Sequence, residues 1–196
     1  SVSAMAPRRG RQTIAGALAA LMLLAALTGA AAARPYPETW IRVDTEASVA
    51  EIRHGERLVT VLEHVAFGRG GISDLHIRGD NTTPTGRFRI NRINRDSRFH
   101  LFFAINYPTV EHLDAARRDG IVGHEDSTRA LDHAGERGYL PQDGPLGGHI
   151  GFHGIGDGDP AIHEDFHWTE GCIAMTNEQI EQFDEFVEIG TPVVIE

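Results

Sequence analysis

The alternation of apolar and polar positions divides the chain into short elements. Residues Ala47 to Leu62 read as a β-hairpin, with His54-Gly55 at the turn and LVTVL on the return strand. Val65 to Phe67 reads as a further short strand ending at Gly68. A breaker-rich loop follows from Gly70 to Gly86. In GRFRI, Phe88 and Ile90 alternate with Arg87 and Arg89, the period-2 pattern of a half-exposed strand. Phe99 to Ile105 reads as another strand, stopped by Asn106, Tyr107 and Pro108. Two helices are expected. Thr109 caps the first, which runs through Asp119 and ends at Gly120. The second starts at Thr176, with Gln179 three residues on as a capping box. Its face carries Ile180, Phe183 and Val187, and Gly190 with Pro192 stops it. His149 to His153, Cys172 to Met175 and Thr191 to Ile195 complete the strand set. Many short strands with few helices predict a mainly β fold with some α: a sandwich or barrel with helices packed at one side.

The first residues follow another pattern. Arg8, Arg9 and Arg11 precede an uncharged apolar run from Ile14 to Leu27, and small residues lead to Ala33. This is the layout of a secretory signal peptide cleaved after Ala33. An uncleaved anchor is the alternative, since Ile14 to Ala33 is just long enough to span a bilayer. The expected organisation is a signal peptide or N-terminal anchor over residues 1–34 and a catalytic domain over 35–196. The expected location is the periplasm or cell envelope, with membrane attachment only if the leader stays on.

The formal net charge is -10. Nucleic acid is thereby excluded as the main partner, because phosphate binding needs a basic footprint. The chain contains no lysine; every basic side chain is arginine. A Ser–Lys dyad, a Schiff-base lysine and a Walker P-loop are all ruled out.

Candidate chemistry concentrates in HIGFHGIGDGDPAIHEDFHWTEGCIAM, from His149 to Met175. It holds four of the eleven histidines and the single cysteine, Cys172. A lone thiol in an exported chain has no disulfide partner within it, which leaves a buried core residue, an intermolecular link or a reactive site. Gly171 permits a tight bend whose backbone amides can face a developing oxyanion. A thiol needs a neighbouring base to become nucleophilic at neutral pH. His153 is the best candidate, and the unobstructed carbonyl of Gly154 can fix its tautomer.

This segment resembles the signature of the L,D-transpeptidase catalytic domain (YkuD) family. That signature is a histidine, 14 to 17 residues, then Ser/Thr-His-Gly-Cys. Here fifteen residues separate His153 from Thr169-Glu170-Gly171-Cys172. TTPTGRF (Thr82 to Phe88), GGHIGFHG (Gly147 to Gly154) and TNEQI with VEIGTPVVI are similar to the family's flanking segments. Two positions depart from the pattern: the usual histidine is Glu170 and the usual arginine is Ala174, in a WT-x-GCIA form that looks like a subgroup.

The resemblance implies peptidoglycan stem peptides as substrate and no cofactor. Cys172 would attack the carbonyl of the third stem residue, with His153 as base and the amides of Gly171 and Cys172 holding the oxyanion. An amine acceptor would give a cross-link and water would give hydrolysis; release of a wall-attached protein is a further outcome. It also implies that carbapenem-type inhibitors acylate Cys172. Glu170, Thr169 and His149 are the expected substrate contacts. His149 is placed on the same strand face as His153. Asp157, Asp159, Asp165, His163 and His167 are expected to decorate a loop over the cleft, and residues Thr109 to Gly144 to form a lid or wall. Two rivals stand beside this reading. One is a metallohydrolase built on the pairs His149/His153 and His163/His167, which the glycines at 151 and 154 disfavour because such pairs bind zinc best from a helix. The other is a non-catalytic wall-binding module.

Overall fold

The computed structural model describes residues 39–196. The expected leader and its cleavage point lie outside the described residues. The described part of the chain belongs to one compact unit.

Strands β1 (Thr39–Asp44), β2 (Val49–His54) and β3 (Arg57–Leu62) form an antiparallel meander. The β2–β3 turn falls where the sequence places it, with Gly55 at φ +59°. Two short strands, β4 (Ile72–Ser73) and β5 (Thr83–Pro84), pair in parallel within the breaker-rich loop. Strand β6 (Gly86–Ser97) is longer than the GRFRI signal suggests. Its first half pairs with the last strand of the chain and its second half with β7 (His100–Ile105), so one strand serves both halves of the sheet. Phe88 and Ile90 are buried and Arg87 and Arg89 exposed, as their alternation requires.

Among the described residues four helices are present where two were expected. Helix α1 (Val110–Arg118) lies where the sequence places it, although Thr109 makes no side-chain capping bond, and α4 (Asn177–Asp184) starts at its expected capping box but ends before Val187. Helix α2 (His124–Arg137) and α3 (Pro160–Asp165) were missed. The inward positions of α2 are Ser127, Ala130 and Ala134, too small to register as an apolar stripe. Asp159 caps α3 through Ala161 N–H, and Pro160 opens it. Part of the 109–144 segment is thus regular helix rather than loop.

Strands β8 (Gly151–His153), β9 (Ile173–Ala174) and β10 (Pro192–Ile195) finish the sheet. Its order is β3-β2-β1-β10-β6-β7-β8-β9. Val65 to Phe67 do not form the short strand expected there; residues 66–69 run past the edge of the sheet. They bridge to the outer edge of β9 and the turn before it, through Ala66 with Ala174 and Gly68 with Thr169. The chain after β3 therefore meets the opposite edge, and the sheet curls toward a closed barrel.

The core fills that curl. Phe103, Phe152 and Phe183 meet at ring-centroid distances of 4.9–5.1 Å, which locks α4 onto β7 and β8. Leu113 and Ala116 of α1 join the same cluster. Phe183 is wholly buried, and removing its ring costs about 3–5 kcal/mol in a site of this kind.

Candidate active site

The curl brings β8 and β9 side by side in parallel, with Phe152 opposite Ile173 and His153 opposite Ala174. Side chains alternate across a strand. Phe152 and Ile173 therefore point into the core, where both are wholly buried. His153 and Ala174 point to the other face, and Cys172, two residues before Ala174, emerges on that face as well. Cys172 and His153 both line one cleft of about 1350 Å³.

His153 is 2% exposed. Its Nδ1 lies 2.7 Å from the carbonyl oxygen of Gly154. A carbonyl only accepts, so Nδ1 carries the proton and Nε2 keeps its lone pair. The ring stacks on Phe99 at 4.3 Å and meets the edge of Trp168 at 5.7 Å. Burial lowers its pKa to about 4; the Gly154 hydrogen bond opposes this, and the charges of His163 and Arg98 add to it. Gly154 is required sterically: a Cβ there would sit 2.6 Å from Asn177 Oδ1 and 2.8 Å from Phe99 O.

Cys172 is half-buried as a residue and lines the cleft. The thiol donates to His149 O at 3.6 Å. Burial pushes its pKa up to about 11; a hydrogen bond from the Gly151 amide opposes this, and the Glu170 charge adds to it. Both shifts favour the neutral thiol and the neutral imidazole over a thiolate–imidazolium pair.

The turn before Cys172 is held from within. Thr169 is buried; its hydroxyl donates to Cys172 O at 2.7 Å and accepts Gly171 N–H at 3.1 Å. Thr169 therefore braces the turn, and its hydroxyl is not free for substrate. The Gly171 amide is likewise committed to Thr169, so the Cys172 amide is the donor of this turn left for an oxyanion. Gly171 has φ +127°, and a Cβ there would lie 2.7 Å from Thr82 O and 2.8 Å from Ile150 Cδ1. No other residue fits.

His149 departs from expectation. It precedes β8 rather than lying on it, with φ +58° and its amide bound to Gln142 Oε1 at 2.9 Å. It lines the cleft from a loop, and its carbonyl is what meets the thiol. Glu170 is exposed and reaches Arg69 at 3.4 Å.

The acidic and histidine-rich segment between base and nucleophile is less of a loop than expected. His163 is buried on α3, and its Nδ1 accepts the indole N–H of Trp168 at 3.3 Å. His167 Nδ1 accepts Phe67 N–H at 3.2 Å. With Nδ1 of His153 on Gly154, three of the four histidines in the rival metal reading have a ring nitrogen committed to a neighbour. Among the described residues no group of three or more His, Cys, Asp and Glu is arranged to hold a metal.

The structure adds residues that sequence reasoning did not single out. Phe99, Trp168 and Arg98 enclose the base, with the Arg98 guanidinium 4.5 Å over the Phe99 ring. His76 is buried in the cleft wall. The Trp beside the Cys motif was the one local signal for this enclosure; His76 offered only an i, i+4 spacing to Asp80.

The family model of the L,D-transpeptidase catalytic domain (YkuD) matches residues 38–195. Among solved structures, the helical cell shape determining protein Pgp2 from Campylobacter jejuni is similar at 23% identity and a TM-score of 0.55, over 82% of this chain and 49% of that one. Bd1075 of Bdellovibrio bacteriovorus is similar at 20% identity and a TM-score of 0.52, over 82% of this chain and 48% of that one. The chain thus spans about half the length of these structures. No curated protein matches it. The matched span takes in the fold and every residue of the candidate site, and the chain belongs to the L,D-transpeptidase catalytic domain family.

Proposed function

We propose that this protein is an exported peptidoglycan L,D-transpeptidase working through an acyl-enzyme on Cys172. The observation that carries the reading is that His153 on β8 and Cys172, just before the neighbouring β9, line one cleft, with His153 Nδ1 fixed by Gly154. Fixing Nδ1 leaves Nε2 as the base toward the cleft.

His153 Nε2 takes the thiol proton as sulfur attacks the carbonyl of the third residue of a tetrapeptide stem. The proton then passes to the nitrogen of the departing D-alanine. The raised thiol and lowered imidazole pKa values favour proton transfer in step with attack on the carbonyl. The Cys172 amide is the oxyanion donor. The acyl group then passes to an amine of another stem, giving a cross-link, or to water. A carbapenem would be opened by the same thiol.

The family's histidine before Gly-Cys is absent. Glu170 in its place is turned toward Arg69, which partly offsets its unfavourable effect on the thiolate. A hydrolase of the same family, trimming stems or releasing a wall-attached protein, uses the same first step and differs only in the acceptor.

Mass spectrometry of the domain from Thr39 onward, incubated with tetrapeptide muropeptides, tests the reading. A dimer joined through third residues, absent with Cys172→Ala, supports transpeptidation. Loss of D-alanine without a dimer shifts the reading to hydrolysis. A variant as active as the wild type would refute the role of Cys172.

A further inference from the structure

His76 sits at the nucleophile's turn and has no part in the mechanism above. It is 4% exposed and lines the cleft. Its Nδ1 lies 2.7 Å from Thr82 O and 3.1 Å from Asp80 Oδ1. Both partners are acceptors, so Nδ1 carries the proton and Nε2 bears the lone pair. Nε2 is not among the buried side-chain nitrogens left without a partner, so its lone pair opens on the cleft.

The ring packs against two glycines of the cleft wall. A Cβ on Gly147 would lie 3.0 Å from Nε2, and one on Gly171 would lie 3.3 Å from Cε1. Gly147 leads to His149, whose carbonyl holds the thiol, and Gly171 precedes Cys172. Nε2 of His76 therefore opens on the cleft from the wall that Gly147 and Gly171 share, with the ring edge against the residue before Cys172.

Asp80 stands behind this imidazole as an orienting carboxylate. Its Oδ1 also accepts Thr82 N–H at 2.8 Å and its Oδ2 accepts Ile77 N–H at 2.8 Å. These hydrogen bonds hold Asp80 ionised, although burial opposes them. A carboxylate against Nδ1 fixes the ring's orientation and its tautomer, the role of the buried carboxylate behind a catalytic histidine. His153 has no such partner, only a carbonyl.

The two half-reactions make different demands on a base. In the first, the proton on sulfur moves to nitrogen and on to the leaving D-alanine, all within the cleft. In the second, an amine acceptor arrives as an ammonium, since an ordinary alkyl amine is protonated at neutral pH. His153, lowered to about 4, is a weak acceptor for that extra proton.

We propose that His76, backed by Asp80, is a second catalytic base that serves amine acceptors. The ammonium gives one proton to His76 Nε2, which later returns it to solvent. The freed amine attacks the thioester carbonyl; the C–N bond forms and the C–S bond breaks. The second amine proton goes through His153 Nε2 to the departing sulfur, restoring the thiol. Water brings no extra proton, so hydrolysis does not need His76.

This inference rests on the Cys172 reading, and the test separates the two. The donor is a tetrapeptide stem with its side-chain amine acetylated, which can only donate. The acceptor is a tripeptide stem with a free amine, which can only accept. The ratio of cross-linked to hydrolysed product is measured for wild type, His76→Gln and Asp80→Asn, alongside the rate of carbapenem adduct formation on Cys172. The ratio is a property of each acylated molecule and does not depend on how much of a variant folds. His76→Gln is expected to lower it roughly 100-fold, a typical loss for a general base. Asp80→Asn is expected to lower it in the same direction by less. Adduct formation per folded molecule should change little in either. An unchanged ratio, a fall in adduct formation as large as the fall in the ratio, or a wild type that acylates and then only hydrolyses would each overturn the role of His76. A wild type that forms no adduct at all would instead overturn the reading of Cys172.

Discussion

At the scale of single residues, the behaviour of His153 follows from where its ring is placed. It is stacked on Phe99, edged by Trp168 and nearly sealed from water. The unfolded chain binds this proton below about 6.5, the folded protein only below about 4. Between those values the unfolded state holds more protons, so acid favours unfolding and stability rises with pH. His153→Gln should therefore narrow the difference in unfolding free energy between wild type and variant by roughly 3 kcal/mol from pH 7 to below pH 4. Urea titrations across that range measure it. The same variant should lose at least about 100-fold in acylation rate at pH 7. Normal acylation would show that His153 is only a packed aromatic neighbour of the cleft.

At the scale of elements, α4 couples stability to the site. Thr176 caps it in a reciprocal box with Gln179. The next residue, Asn177, accepts Gly156 N–H and donates to Gly156 O, both at 2.9 Å. The helix N-terminus therefore ties down the loop that leaves His153. Thr176→Ala removes a capping hydrogen bond and should cost about 1 kcal/mol. The check is a lower urea midpoint with an unchanged m-value. Both signals for α4 were legible in the sequence, because capping residues and their spacing are local. Helix α2 was not, since the residues it turns inward are small and its burial comes from the segments around it.

At the scale of the whole molecule, closure of the sheet builds the cleft. Residues 66–69 bond to the β9 edge and to Thr169, some hundred residues away in sequence. The nucleophile's turn is thereby clamped on both sides. Export is a separate expectation, carried by the apolar run before the domain. It predicts that the protein recovered from the cell envelope begins at Arg34. An intact mass that retains residues 1–33 would indicate an anchor instead.

The sequence by itself determined the strands with alternating patterns, helix α1 and the capping box of α4, the paired glycines 154 and 171 and the spacing of His153 from Cys172. These depend on a residue and its near neighbours, through backbone freedom, capping and periodicity. Tertiary structure decided that His149 offers its carbonyl from a loop, that Thr169 spends its hydroxyl on the turn, and that His76 packs against the glycine before the nucleophile. It also decided the low basicity of His153 and the high pKa of Cys172. The physical reason is that desolvation, partner choice and close approach are set by segments far apart in the chain, which only the folded sheet brings within a few ångströms.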